Sequence, residues 1–223
     1  MIPNKDIIKD PNSKYLLALH GSTETLGVGI LDLANPKESK RSATFTLGRK
    51  LSNQLFDCVE KVLTRSAWKQ IDRLAVATGP GGFTGTRVTI AMARIIAQQL
   101  KCSLDGFSSF ELMASRLAVN LEPNKREEPF WIKDNLKRRG TVAGQYKLQK
   151  SNLAFPKPEI TELTRPHLIT KNEKIYPAIN ASNDIESDII ELLELSYLKK
   201  LKGIKNRWET VLPIYPTSPI DNI

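Results

Sequence analysis

The chain has 223 residues and a mass of 25.0 kDa, with 33 Lys plus Arg against 24 Asp plus Glu; 40% of it is apolar and 26% charged. Those shares exclude collagen-like, disordered and mucin-like chains, and the length allows one domain or two small ones. The longest apolar runs, such as Tyr15 to Leu19 and Ile90 to Ala93, fall far short of the roughly 20 residues that cross a bilayer.

Pro3 and Asp6 stand where a signal peptide needs a basic region leading into an apolar stretch, which predicts a cytoplasmic protein. Cys58 and Cys102 have no paired spacing and read as reduced, half-buried thiols. His20 and His167 are the chain's two histidines, so a His-rich metal cage is excluded and no metal site is expected. The net charge of +9 raises the question of nucleic acid. Most of the excess is spread out, with denser patches at Lys133, Lys137, Arg138, Arg139, Lys147 and Lys150, and at Lys199, Lys200, Lys202, Lys205 and Arg207. No aromatic stacking platform is interleaved with them, and a solvated face is the simpler reading.

Tyr15 to Leu19 and Leu26 to Leu33 read as a hairpin of two strands, and the alternation of Ala43, Phe45 and Leu47 with Thr44 and Thr46 as a third. Leu51, Leu55, Val59, Val62 and Leu63 recur at helical spacing, predicting an amphipathic helix over 52–65. Leu74 to Ala77 is a short strand, followed by a glycine loop and then a helix over 86–100 that is apolar around nearly its whole circumference. Ser103 to Phe107 is another strand, and Ser108 with Glu111 matches a capping box opening the next helix. Strands joined through crossover helices make an α/β layer. The charged stretch between Pro123 and Pro129 marks a boundary, dividing the chain into 1–121 and a smaller, irregular 122–223. Within the latter, Phe130 to Ile132 and Thr141 to Leu148 read as strands, and Pro156 to Pro177 as extended and Pro-interrupted. A last helix spans 185–201, with Asn183 or Ser182 as its N-cap and Gly203 as its stop.

Thr78-Gly79-Pro80-Gly81-Gly82-Phe83-Thr84-Gly85-Thr86-Arg87 is the most informative stretch. Glycines between a strand and a helix bring backbone N–H groups and the positive helix end toward a docking anion, although such a loop is more often a tight structural turn. It is not a Walker loop, because no Lys-Ser or Lys-Thr follows Gly85, and its glycine spacing fails the dinucleotide fingerprint.

This stretch closely resembles the Gly-Pro-Gly-Ser-Phe-Thr-Gly-Val-Arg signature of the TsaB family, also called YeaZ. The family provides the dimerization subunit of the machinery that makes threonylcarbamoyladenosine beside the anticodon of tRNA. Leu17-Ala18-Leu19-His20-Gly21-Ser22-Thr23-Glu24, Arg49 to Leu55 and Asp134 to Tyr146 are similar to further family segments. The similarity is good over 15–118 and thin afterwards. It implies an actin-like, RNase-H-like α/β fold of two subdomains, the second degenerate. It also implies a cytoplasmic, non-catalytic partner of a TsaD-type catalytic subunit, with a TsaE-type ATPase as a further partner, a homodimer as an alternative, and tRNA met through the complex.

The resemblance places the partner interface on the two helices around the glycine loop. Leu51, Leu55, Val59, Met92, Ile95 and Ile96 are expected to carry it, because a helix apolar almost all round leaves a face uncovered. The glycine loop itself is assigned to Gly79, Gly81, Gly82, Thr84, Gly85 and Arg87. Actin-like phosphotransferases hold a metal-bound nucleotide with an Asp at the end of the first strand, where this chain has His20. No catalytic residue and no cofactor are therefore expected, and His20, Ser22, Ser108, Ser109 and Asp134 read as strand-end, cap and surface residues. Two alternatives stay open: an ATP-binding or ATP-hydrolysing enzyme, and a basic tRNA-binding module.

Overall fold

Leu16, Leu17, Ala18 and Leu19 are all fully buried, as residues of a strand covered on both faces must be. That strand, β1 (Tyr15–His20), is the middle of the first sheet in the computed structural model, which describes residues 14–136, 139–149 and 158–216. It pairs antiparallel with β2 (Thr25–Asp32), which pairs antiparallel with β3 (Arg41–Thr46). On its other side β1 pairs parallel with β4 (Ile71–Ala77), and β4 pairs parallel with β5 (Ser103–Phe107). The order is β3-β2-β1-β4-β5, as an actin-like half requires.

Helix α1 (Leu51–Val62) joins β3 to β4, and α2 (Phe83–Leu100) joins β4 to β5. Both cover one face, where Leu55, Val59, Ile90, Met92 and Ala93 pack with Leu17 and Leu19. The second helix begins at Phe83, three residues before the expected Thr86. Gly85 does not break it, and a Cβ there would stand 2.3 Å from the Gly21 carbonyl oxygen. This glycine serves the close approach of helix to strand end.

Ser108 caps α3 (Ser109–Ala118): its Oγ accepts the Glu111 N–H at 3.0 Å, as the capping box predicted. The helix buries Phe110, Met113 and Leu117 against Phe130, Ile132, Val142 and Tyr146 of a second sheet. That sheet has the order β8-β7-β6-β9, built from β6 (Phe130–Leu136), β7 (Gly140–Gln149), β8 (Glu159–Leu168) and β9 (Ala178–Asn180). Of the stretch expected to be extended over 156–177, residues 159–168 form β8, and 169–177 are turn and irregular structure.

Helix α4 (Ile185–Leu201) does not stay with the second sheet. Ile189, Leu192 and Leu193 pack on Leu16, Ala18, Ala75 and Ala77, on the face of the first sheet opposite α1 and α2. The segment after it also returns, with Leu104 N–H donating to the Asn206 carbonyl and Ile214 N–H to that of Thr78. The chain therefore does not separate into 1–121 and 122–223, because 185–216 completes the first half. The N-cap of α4 is Asp184 and neither Asn183 nor Ser182. Its carboxylate accepts from the Ser187 N–H at 3.1 Å and the Ser187 hydroxyl at 2.7 Å, two bonds that a capping Asp makes readily. Among the described residues, no helix is long and apolar enough to cross a membrane.

Candidate functional site

The glycine loop is stitched to the β1–β2 turn. The Gly82 N–H donates to the Ser22 carbonyl at 2.6 Å, and a Cβ on Gly81 would stand 2.2 Å from that same oxygen. The Gly79 carbonyl accepts from the Ser109 N–H at 2.7 Å, and Gly79 has φ +92, a backbone shape that suits glycine. Gly81 and Gly82 are thus in place for a tight turn, with Gly82 N–H already engaged. Thr84 and Gly85 lie in the first turn of α2.

Arg87 turns back over the loop. Its guanidinium stacks 3.8 Å from the Phe83 ring centroid, and its Nε donates to Tyr215 Oη at 2.5 Å. Tyr215 itself lies 5.3 Å from the Phe83 ring. Arg87 therefore clamps the returning C-terminal segment onto the loop.

A cleft of about 1310 Å³ opens between this loop and the second sheet, lined among others by Glu24, Arg49, Asp134 and Arg139. Asp134 is exposed on β6, at the rim. His20, at the end of β1, is fully buried. Its Nδ1 stands 3.4 Å from Ser22 Oγ, which shares a hydrogen at 2.8 Å with Ser109 Oγ, and its Nε2 has no hydrogen-bond partner among the described residues. Burial lowers its pKa to about 4, against a smaller opposing backbone hydrogen bond, so the imidazole is neutral.

Chemically this arrangement is closed. Ser22 beside His20 has the outline of a nucleophile and a base, yet Ser22 is only 3% exposed and no acid orients the ring. A metal-bound nucleotide needs a hard oxygen ligand at the end of β1, and a neutral, enclosed imidazole does not fit that role. Among the described residues no group of three or more His, Cys, Asp or Glu side chains is placed to hold a metal. His167 is engaged by Glu173 at 2.8 Å and by the Arg165 carbonyl at 2.9 Å.

Sequence reasoning missed a polar joint beneath the cleft. Ser108 Oγ shares a hydrogen at 2.8 Å with Tyr146 Oη, which lies 3.4 Å from a Glu162 carboxylate oxygen. Glu111 stands in the same place, its pKa raised to about 8, first by burial and then by the Glu162 charge. The capping box identified Ser108 and Glu111; nothing local signalled that Tyr146 and Glu162 would meet them.

The expected interface residues divide sharply. Leu51, Leu55, Val59, Met92 and Ile96 are each at most 7% exposed in the chain's own core, because the helical stripe they form is the one that covers the sheet. They cannot meet a partner as the interface reading required. Ile95, by contrast, is 59% exposed. With the exposed Thr84 and Ala91 and the half-buried Val88, which also touches the core, it makes a stripe on α2 that carries no charge, and Phe56 on α1 is 54% exposed.

The charged patches change as well. Lys137, Arg138 and Lys150 lie outside the described residues. In the second patch Lys200 pairs with Asp72, Lys202 with Glu159 and Arg207 with Glu209, each at 2.6 Å, while Lys199 sits 4.0 Å over the Phe107 ring. This run is mostly engaged within the fold.

Residues 46–154, from the end of β3 through β7, match the family model described as TsaD, tRNA N6-adenosine threonylcarbamoyltransferase. Among solved structures the chain is similar to an uncharacterized protein with similarity to peptidase YEAZ from Pseudomonas aeruginosa. Identity is 21% over 92% of this chain and 100% of that one, with a TM-score of 0.67. It is also similar to YeaZ from Pseudomonas aeruginosa, at 21% identity over 91% and 99% of the two chains with a TM-score of 0.64. None of the curated proteins compared matches the sequence. Residues 46–154 are thus a TsaD-family segment, and the chain has the fold of those YeaZ structures.

Proposed function

We propose that this protein is a non-catalytic subunit of the machinery that transfers a threonylcarbamoyl group to the adenosine beside the anticodon of tRNA, acting by pairing with a TsaD-type transferase. The observation that carries the reading is the outward stripe of α2. Thr84, Val88, Ala91 and Ile95 are spaced four, three and four residues apart, the repeat that seats one helix against another. The small residues Thr84 and Ala91 let a partner helix approach closely, and Ile95 supplies the apolar anchor. The closed geometry at Ser22 and His20 supports a role without chemistry of its own. A TsaE-type ATPase is the further partner this reading expects, and a homodimer through the same stripe is the competing arrangement.

Co-expression with a TsaD-type transferase followed by size-exclusion chromatography tests it. The two chains are expected to co-elute, and Ile95→Asp is expected to abolish co-elution while the isolated variant keeps its thermal midpoint. An aspartate at position 95 stays solvated in the free chain but loses its water in the complex. Undiminished co-elution of the variant overturns the assignment of the seam.

A further inference from the structure

At the end of the first sheet opposite the glycine loop, the starts of β1, β4 and β5 and the ends of α2 and α4 frame a groove of about 620 Å³. Lys14, Lys69, Lys101, Lys200 and Lys205 line it, drawn from four separate stretches of the chain. Asp72 is the acid among them, held by Lys200 at 2.6 Å and Lys14 at 3.3 Å. Burial raises its pKa, but the hydrogen bonds from Lys200 and Lys14 outweigh this and hold the carboxyl below the usual range. Arg73 at the groove floor is neutralised by Asp105, 2.7 Å away. Lys69, Lys101 and Lys205 are exposed and make no ion pair among the described residues.

Two helix C-termini open here, and their dipoles favour a nearby cation each. Lys14 precedes a strand and Lys69 belongs to a 3-10 turn, so the dipoles do not account for the whole set. We propose that this groove binds the phosphate backbone of RNA; that the RNA is tRNA rests on the function proposed above. A concave channel with lysines on its rim accepts a ridge of phosphates, whereas a flat anionic membrane touches the rim alone. Lysine is a point-charge phosphate binder that positions without reading sequence, as a subunit that only holds its substrate requires. Lys101, the C-cap of α2, lines the groove, so RNA seated there lies at the end of the helix that carries the seam proposed for the partner.

The test uses the full chain and an in vitro transcribed tRNA, with affinity measured by fluorescence anisotropy over a salt series. The triple variant Lys69→Gln, Lys101→Gln, Lys205→Gln is compared with Lys37→Gln, Lys171→Gln, Lys174→Gln, which removes as much charge from exposed positions elsewhere. The groove triple is expected to flatten the slope of log affinity against log salt by about 2, with the control triple close to wild type. Equal effects of the two triples, no effect of the groove triple, or absence of salt-dependent tRNA binding each overturn the proposal. So does loss by the groove triple of binding to phosphatidylserine vesicles with tRNA binding intact. Co-elution with the transferase, measured on the same groove triple, separates the two claims. Pairing without any groove effect on tRNA sinks the groove alone, and groove-dependent RNA binding without pairing sinks the partner reading alone.

Discussion

His20, fully buried, and Glu111, half-buried, are two titratable groups whose environments push stability in opposite directions with pH. His20 is neutral in the fold with a pKa of about 4, against 6.5 in a free chain. Between those values the unfolded chain takes a proton that the fold refuses, so stability falls as pH drops from about 6.5 toward 4, by at most about 3 kcal/mol. Glu111 keeps its proton in the fold up to about pH 8, against 4.5 in the unfolded chain. Its contribution is fully present below 4.5 and is lost as pH rises through 8, and because the residue is only half-buried a loss of about 1–3 kcal/mol is expected. Urea denaturation at several pH values is expected to show both slopes. His20→Gln should remove the acid-side fall, and Glu111→Gln, which keeps an acceptor for the Ser108 N–H, should remove the alkaline one. A wild-type profile unchanged by Glu111→Gln would place the joint's titration elsewhere.

Among the elements, α2 and α4 exchange the roles that composition suggests. Helix α2 is apolar around nearly its whole circumference, yet its outward stripe of Ala91 and Ile95 is exposed. Helix α4 carries Asp188, Glu191 and Ser196 and is nevertheless the more enclosed, because it lies on the first sheet and also packs beside α3. Periodicity marks both helices without ranking their faces, since any apolar side can serve the sheet. It follows that Met92→Asp and Leu55→Asp place an unpaired charge in the core and are expected to unfold the isolated chain, at a cost of several kcal/mol, rather than block pairing in a folded monomer. Circular dichroism of the two variants beside Ile95→Asp checks this: native melts for all of them would mean that the inner stripe is accessible after all.

At the scale of the molecule, one buried ion pair holds the returning chain to the first sheet. Arg73 and Asp105 form a two-pronged pair at 2.7 and 2.9 Å, and Asp105 also accepts from Ser196 at 2.5 Å and from Asn206 at 2.7 Å. Arg73 donates in addition to the Ile204 carbonyl at 2.9 Å. Strands β4 and β5, helix α4 and the segment after it thus share a single charge network. Arg73→Met strands a fully buried carboxylate and is expected to cost about 3–5 kcal/mol, while adding Asp105→Leu should recover part of that loss. Equilibrium unfolding of the single and double variants measures the difference, and a double variant no better than the single would show that Asp105 is needed for its other bonds rather than its charge.

The order of strands and helices, the capping box at Ser108 and the tight turn at Gly79 to Gly82 were legible in the sequence, because periodicity, caps and glycine geometry act over a few neighbouring residues. So was the absence of a carboxylate at the end of β1, which needed only the identity of residue 20. The inward face of α2, the return of α4 to the first sheet, the meeting of Glu111 with Tyr146 and Glu162, and the gathering of five lysines into one groove were decided by tertiary structure alone. Each depends on segments far apart in the chain being packed together, and no local pattern records which of several apolar or charged faces the fold will cover.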